Sequence, residues 1–301
     1  MFMLKDPLHG VSTGIYTHRN FDNAALTYIE SLVKWRCDLG AFNKVISSYS
    51  RHLIVRYVLF LHFGNDSGNP DKGATIQRLL DLCLERDRCG SRVLRNVLSL
   101  AQMTGYLSIE RGRFDQRLKV LEPTDKLLEQ IRRYYAHTFR CFDVLLGDRA
   151  PRQISRDDPD MVERVCFAVG GPYIDQHLLI GEYFEDLHSL FGLDGGFATV
   201  FAVVDAQMRG QTPPSYKDIA QRFRLSASQA RKILKSAEAR GLMTFDDMGK
   251  VAGASGLVEA CKRFIARELA LYAKFALGLE PYLVPGRTPR GGHESGLRAY
   301  G

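Results

Sequence analysis

Val93-Leu-Arg-Asn-Val-Leu-Ser-Leu-Ala-Gln-Met-Thr-Gly-Tyr-Leu-Ser-Ile109 aligns, at an offset of 136 residues, with Gln229-Ala-Arg-Lys-Ile-Leu-Lys-Ser-Ala-Glu-Ala-Arg-Gly-Leu-Met-Thr-Phe245. Arg95 meets Arg231, Ala101 meets Ala237 and Gly105 meets Gly241, while Val97-Leu98 meets Ile233-Leu234. Each copy has apolar residues at steps of three and four, then a glycine, then a short alternation ending in Leu107 and Ile109 or Met243 and Phe245. That pattern predicts a helix, a stop and a strand. The glycine suits the stop because the chain reverses there through positive φ, which costs glycine least.

Outward from this stretch, each copy has a shorter helix upstream. In the second it is Tyr216 to Phe223, with Ser215 as N-cap, and Arg224-Leu225-Ser226 turns into a helix from Ala227 to Arg240. In the first it is Ile76 to Glu85, capped by Thr75, and Cys89-Gly90-Ser91 makes the turn. A ribbon follows: Tyr106 to Glu110 and back through Gln116 to Leu121 in copy one, with Arg111-Gly112-Arg113 at its tip. Copy two has a shorter ribbon over Thr244 to Val251, with Asp246 and Asp247 at the tip. Long helices are predicted after the ribbons, over Asp125 to Leu146 and Gly256 to Leu279. The expected fold class is mainly α with small β-wings, two winged helix-turn-helix domains joined by long helices.

The flanks complete the organisation. Phe21, Ala25, Tyr28, Leu32, Trp35, Leu39 and Phe42 form an a/d seam of three heptads, which serves either a dimer or the helix's own domain. The expected parts are an N-terminal helical segment over 1–42 with a dimerisation role, a first winged-helix domain over 43–149, and a connector over 150–193 with one helix from Ile174 to Leu190. A second winged-helix domain over 194–284 and a flexible tail over 285–301 follow.

The chain of 301 residues carries net charge +7, and its placement is uneven. Arg86 to Lys119 carries net +5 and Arg209 to Arg240 net +6, which leaves −4 for the remainder. Arg156 to Leu190 holds eight carboxylates against two arginines. Two basic patches, each on the same element of a repeat, fit a polyanion better than solvation alone.

Ser215-Tyr-Lys-Asp-Ile-Ala-Gln-Arg-Phe-Arg-Leu-Ser-Ala-Ser-Gln-Ala-Arg-Lys-Ile-Leu-Lys-Ser-Ala-Glu-Ala-Arg-Gly-Leu242 resembles the helix-turn-helix of winged-helix transcription regulators of the MarR and GntR types. Asp115-Gln-Arg117, the strand after it and Pro123-Thr124-Asp125 are similar to the wing of MarR-like regulators. The likeness covers about 75–125 and 209–255, and the second copy lacks the Asp-x-Arg wing. It implies a transcriptional regulator that binds double-stranded DNA as a homodimer, with Asp115 orienting Arg117 toward the groove. It also implies a small aromatic effector, for which Tyr49, His52, Arg56, Tyr134, Tyr135 and His137 are the candidate lining, core packing being the alternative.

Base reading belongs to the exposed N-terminal end of the second helix of each unit, and phosphate contact to the residues around it. In copy one these are Ser91, Arg92, Arg95, Asn96 and Ser99, with Arg111 and Arg113 at the wing tip suited to a narrow minor groove. In copy two they are Ser226, Ser228, Gln229, Lys232 and Lys235, Gln229 being suited to adenine and Lys232 to guanine. Asp246 and Asp247 repel phosphate, so that copy binds through its helix alone or contacts protein. Two alternatives stand beside regulation: a plasmid-type replication initiator, and a winged-helix protein-interaction adaptor of the kind found in chromosome condensation.

No catalytic residue, metal or cofactor is expected. The chain lacks a phosphate loop, G-x-G-x-x-G and H-E-x-x-H. Glu185-x-x-His188 with Glu182 is half of a di-iron pattern, and His137 with Cys141 supplies two of the four ligands a structural zinc takes. Six scattered cysteines are no disulfide framework, though Cys83 and Cys89 flank the first turn as a candidate redox pair. With no basic start leading into an apolar core, and no apolar run of membrane-spanning length, the expected location is the cytoplasm, with no membrane partner.

Overall fold

Local capping chemistry decides where the helices begin. Ser215 and Ser226 each accept a hydrogen bond from the backbone three residues on, and their own backbone N–H groups donate to the Asp218 and Gln229 side chains. Thr124 caps the long helix after the first ribbon by accepting from Leu127 N, and Thr75 Oγ1 accepts from Arg78 N at 3.2 Å. Gly105 and Gly241, the glycines matched in the repeat, stand at φ +75° and +69°, the left-handed turn that ends each helix.

In this computed structural model the described residues are 6–65, 69–85, 89–147, 153–175, 178, 183–247 and 251–284. The tail over 285–301 lies outside them. The elements run α1 (His9–Tyr16), α2 (Phe21–Asp38), α3 (Phe42–Val45), α4 (Tyr49–Phe63), α5 (Ile76–Glu85), α6 (Ser91–Met103), β1 (Leu107–Arg111), β2 (Lys119–Pro123) and α7 (Asp125–Leu146). They continue with α8 (Met161–Asp175), α9 (Glu185–Phe191), α10 (Gly196–Met208), α11 (Tyr216–Phe223), α12 (Ala227–Ala239), β3 (Thr244–Phe245), β4 (Val251–Gly253), α13 (Ser255–Phe275) and α14 (Glu280–Leu283). The protein is mainly helical, with two small antiparallel sheets, β1–β2 and β3–β4. In the first, Ile109 pairs with Leu121 and Arg111 with Lys119. Thr75 bridges Val120 from the other side, so β2 has a neighbour on both edges.

The repeat extends further than its sequence likeness. An apolar helix, a short helix, a second helix, a ribbon and a long helix recur in the same order as α4–α5–α6–β1–β2–α7 and α10–α11–α12–β3–β4–α13. One continuous core runs through both. Against this, two expectations need correcting. The seam on α2 is not a dimer face: Phe21, Ala25, Tyr28, Leu32, Trp35, Leu39 and Phe42 are all buried within the chain, where α2 packs against α7, α10 and α13. Segment 1–42 is therefore part of the core, because Ala24, Ile29 and Val33 give α2 further apolar faces beyond the heptad stripe.

The connector also differs. Its main helix is α8, over Met161–Asp175, followed by the short α9, rather than one helix from Ile174 to Leu190. Gly170, Gly171 and Pro172 sit inside α8. A Cβ on Gly170 would lie 3.1 Å from Phe60 Cβ, so glycine here permits close packing of α8 on α4. Among the described residues no single helix is long and apolar enough to cross a membrane.

Candidate nucleic-acid interface

The α6 face is built by its amphipathicity. Leu94, Val97, Leu98 and Ala101 point into the core, which leaves Ser91, Arg92, Arg95, Asn96 and Ser99 exposed on the other side. Among the described residues no carboxylate lies within ion-pair distance of Arg92 or Arg95. Two cations on the leading turns of the exposed α6 face, without counter-ions among the described residues, present their charge to solvent.

The ribbon beside α6 ends in a loop that one carboxylate organises. Asp71, in a 3-10 turn over Pro70–Lys72, accepts from the backbone N–H of Arg113 at 2.8 Å, of Phe114 at 2.9 Å and of Asp115 at 2.7 Å. Asp115 in turn accepts from Arg117 Nε at 3.0 Å, Nη2 at 3.1 Å and the Arg117 backbone. These bonds to Arg117 hold the Asp115 carboxyl below its ordinary range. Arg111 and Arg113 stay exposed at the tip, with the Arg113 guanidinium over the Phe114 ring at 5.9 Å. Phe114 is itself 69 % exposed. Neither Asp71 nor Phe114 stood out in the sequence, since a lone loop aspartate or aromatic has no periodic context.

Asp71→Ala therefore frees the backbone of 113–115. Loss of three charge-assisted bonds is worth about 1–3 kcal/mol of local order. Amide exchange at Arg113, Phe114 and Asp115 should accelerate about tenfold or more, with little change elsewhere. Unchanged exchange at those three amides would show that the loop holds its shape by other means.

The second unit is arranged differently. Ala230, Ile233, Leu234 and Ala237 are buried, and Ser226, Ser228, Gln229, Lys232 and Lys235 are exposed. Lys232 has no carboxylate within ion-pair distance among the described residues. Four of the predicted contacts are already engaged, Ser228 through its hydroxyl at 3.0 Å from Ser226 Oγ. Gln229 Oε1 accepts from Ser226 N at 3.0 Å and lies 3.0 Å from Ser226 Oγ, so Gln229 completes the cap of α12 instead of offering its carboxamide oxygen to adenine. Ser226 Oγ accepts from Gln229 N at 3.1 Å. Lys235 Nζ pairs with Glu238 at 2.7 Å and lies over the Phe245 ring at 4.4 Å. Asp246 and Asp247 are exposed at the second ribbon.

No protein-family model, curated protein or solved structure matches this chain. The functional reading therefore rests on its own residues.

The six residues expected around an effector are only partly brought together. Tyr49, His52, Arg56 and Tyr134 line a cavity of about 20 Å³, room for about one water and not for an aromatic acid. His137 borders a neighbouring space of about 10 Å³, and Tyr135 borders neither, its hydroxyl lying 3.4 Å from Cys166 Sγ. The Arg56 charge is already met by Glu268. As an effector cleft the set is too small and too neutral; as folded here it is a polar centre of the core. Cys83 is buried and Cys89 half-buried. Their mutual hydrogen bond pushes the Cys83 thiol up and the Cys89 thiol down.

His52 gives this centre a pH dependence. Burial first, and then the Arg56 and Arg36 cations, push its imidazole well below the ordinary range. The folded chain keeps His52 neutral, whereas the unfolded chain protonates it as pH falls through about 6.5. Its stability contribution is complete above that value and is lost below it, by up to about 1.4 kcal/mol per pH unit. His18 and His137, also lowered by burial, act in the same direction. Denaturant titrations between about pH 7 and pH 5 should show this slope and its flattening in His52→Gln. An equal slope in the variant would assign the acid sensitivity elsewhere.

Proposed function

We propose that the protein is a sequence-reading double-stranded DNA-binding regulator made of two winged helix-turn-helix units, in which the first unit makes the main contact. The observation that carries this reading is the α6 face. Arg92 and Arg95 stand exposed and without counter-ions among the described residues, beside a ribbon whose tip offers Arg111, Arg113 and the Asp115-oriented Arg117. Helix N-terminal turns in a major groove and a cationic ribbon tip in the adjacent minor groove use those positions.

The second unit supports a lesser or different contact. Its α12 keeps Lys232 available, but Gln229 and Lys235 are held within the chain and its ribbon carries Asp246 and Asp247. That combination favours a protein contact over a second groove.

Selection of bound duplexes from random DNA, followed by a salt titration of the winner, tests the proposal. The expected result is an enriched motif and a steep fall in affinity with salt, in which log Kobs against log salt has a slope of about −0.9 per neutralised phosphate. No enrichment, with salt-insensitive binding, would favour the adaptor reading.

A further inference from the structure

Phe114 sits at the tip of the first ribbon, and among the described phenylalanines none is as exposed. A single exposed apolar ring is ordinary on a protein surface; what sets this one apart is how firmly its loop is held. Besides the three N–H groups that Asp71 gathers, Gly112 N donates to Leu118 O at 3.1 Å and Leu118 N to Asp115 O at 3.0 Å. A Cβ on Gly112 would lie 2.4 Å from Asp115 O and 2.9 Å from Asp71 Oδ1, so the loop closes this tightly only around glycine. Asp71 is itself positioned, its N–H donating to Asn69 Oδ1 at 2.9 Å. Behind the tip β2 is tied down where Leu121 N donates to Ala74 O at 2.7 Å. The ring therefore stands on backbone that is ordered before any partner arrives, which lowers the entropic cost of using it.

Its surroundings point to the partner. From Arg111 to Lys119 the chain carries four exposed cations, Arg111, Arg113, Arg117 and Lys119, against Asp115 alone. The Asp115 carboxylate is taken by Arg117, and that of Asp71 by the three N–H groups. An apolar ring set among cations matches an apolar protein surface poorly, because those charges would have to leave water. It matches stacked bases between phosphates well. The second ribbon lacks this device: Phe245 is half-buried under Lys235 Nζ at 4.4 Å and is followed by Asp246 and Asp247.

We propose that Phe114 is a wedge, inserted from the minor groove between two adjacent base pairs of the duplex that α6 reads, unstacking that step and bending the DNA. The wedge rests on the DNA-binding reading of the first unit. It adds to that reading a preference for steps that open easily, pyrimidine–purine steps such as TA and CA/TG.

The test uses the full chain and the duplex it enriches from random DNA, with 2-aminopurine replacing one adenine at a time and a donor–acceptor dye pair at the ends. The parent should brighten 2-aminopurine at one step only and bend the duplex by between about 20° and 90°. Phe114→Ala should abolish both and weaken binding roughly tenfold. The slope of log Kobs against log salt should stay as in the parent, because no phosphate contact has gone. Phe114→Leu should keep most of the bend, since leucine also serves as a wedge. The ring is exposed, so both variants should melt with the parent. Three results overturn the proposal while duplex binding stands: a bound duplex that is straight and dark at every position, an equal bend and brightness in Phe114→Ala, or a Phe114→Ala loss that comes with a reduced salt slope. Failure of the parent to enrich any duplex removes the DNA-binding reading itself, and the wedge with it.

Discussion

Glu268→Gln should lower the unfolding free energy by about 3–5 kcal/mol, the cost of removing one partner from a buried ion pair. Glu268, 2 % exposed, receives Arg56 Nη2 from α4, Tyr134 OH from α7 at 2.9 Å and Tyr272 OH from its own α13 at 3.2 Å. Arg56 Nη2 also reaches both tyrosine hydroxyls, at 3.0 and 3.1 Å. The carboxylate therefore ties the long helix of the first unit to that of the second at the centre of the core. Glutamine keeps the shape and an acceptor but removes the charge, leaving Arg56 with its desolvation cost uncompensated. The matching double change, Arg56→Met with Glu268→Leu, removes both charges and should recover most of the loss. Urea titration of the three proteins reads these differences through the midpoint at constant slope. A single variant within about 1 kcal/mol of the parent would mean that water reaches the pair and screens it.

Helix ends were legible wherever a cap or a stop residue is local. Thr75, Ser215 and Ser226 placed three helix starts at the observed residues, and the paired glycines placed two helix ends. Strands were less exact: the first ribbon is Leu107–Arg111 with Lys119–Pro123, shifted by one to three residues from the alternation. Periodicity also shows that a stripe is apolar without showing what covers it. Hence α2 read equally as a dimer seam, although its partners lie later in the same chain. The helix over Met161–Asp175 was not expected, and the Phe60 side chain that packs on its Gly170 is more than a hundred residues away. Polar side chains acting over long sequence separation were the least visible. Asp71 clamps a loop some forty residues downstream, Gln229 turns to its own cap, and Arg36 gave no sign of being buried in a helix that carries charges elsewhere.

Arg92→Ala, Arg95→Ala, Arg111→Ala and Arg113→Ala combined should reduce affinity for the selected duplex roughly 1000-fold at about 0.1 M salt, because every phosphate that no longer meets an arginine keeps its condensed counterions. The slope of log Kobs against log salt should shrink by between about two and four, the lower figure applying where two of the four read bases and not phosphates. Net charge alone does not explain such a loss, and a control of equal charge separates the two. Arg19→Ala, Lys34→Ala, Arg133→Ala and Arg140→Ala remove four exposed cations from outside α6 and its ribbon. Under a purely global field the two quadruple variants weaken binding alike, whereas a docked α6 face makes the first far more severe. Within the first set, restoring the ribbon pair should recover affinity for all sequences about equally where Arg111 and Arg113 meet phosphates. Recovery confined to motifs with flanking A·T tracts would instead place both arginines in a narrowed minor groove. If both quadruple variants bind like the parent, α6 is not the contact, and Lys232 on α12 becomes the cation to remove next.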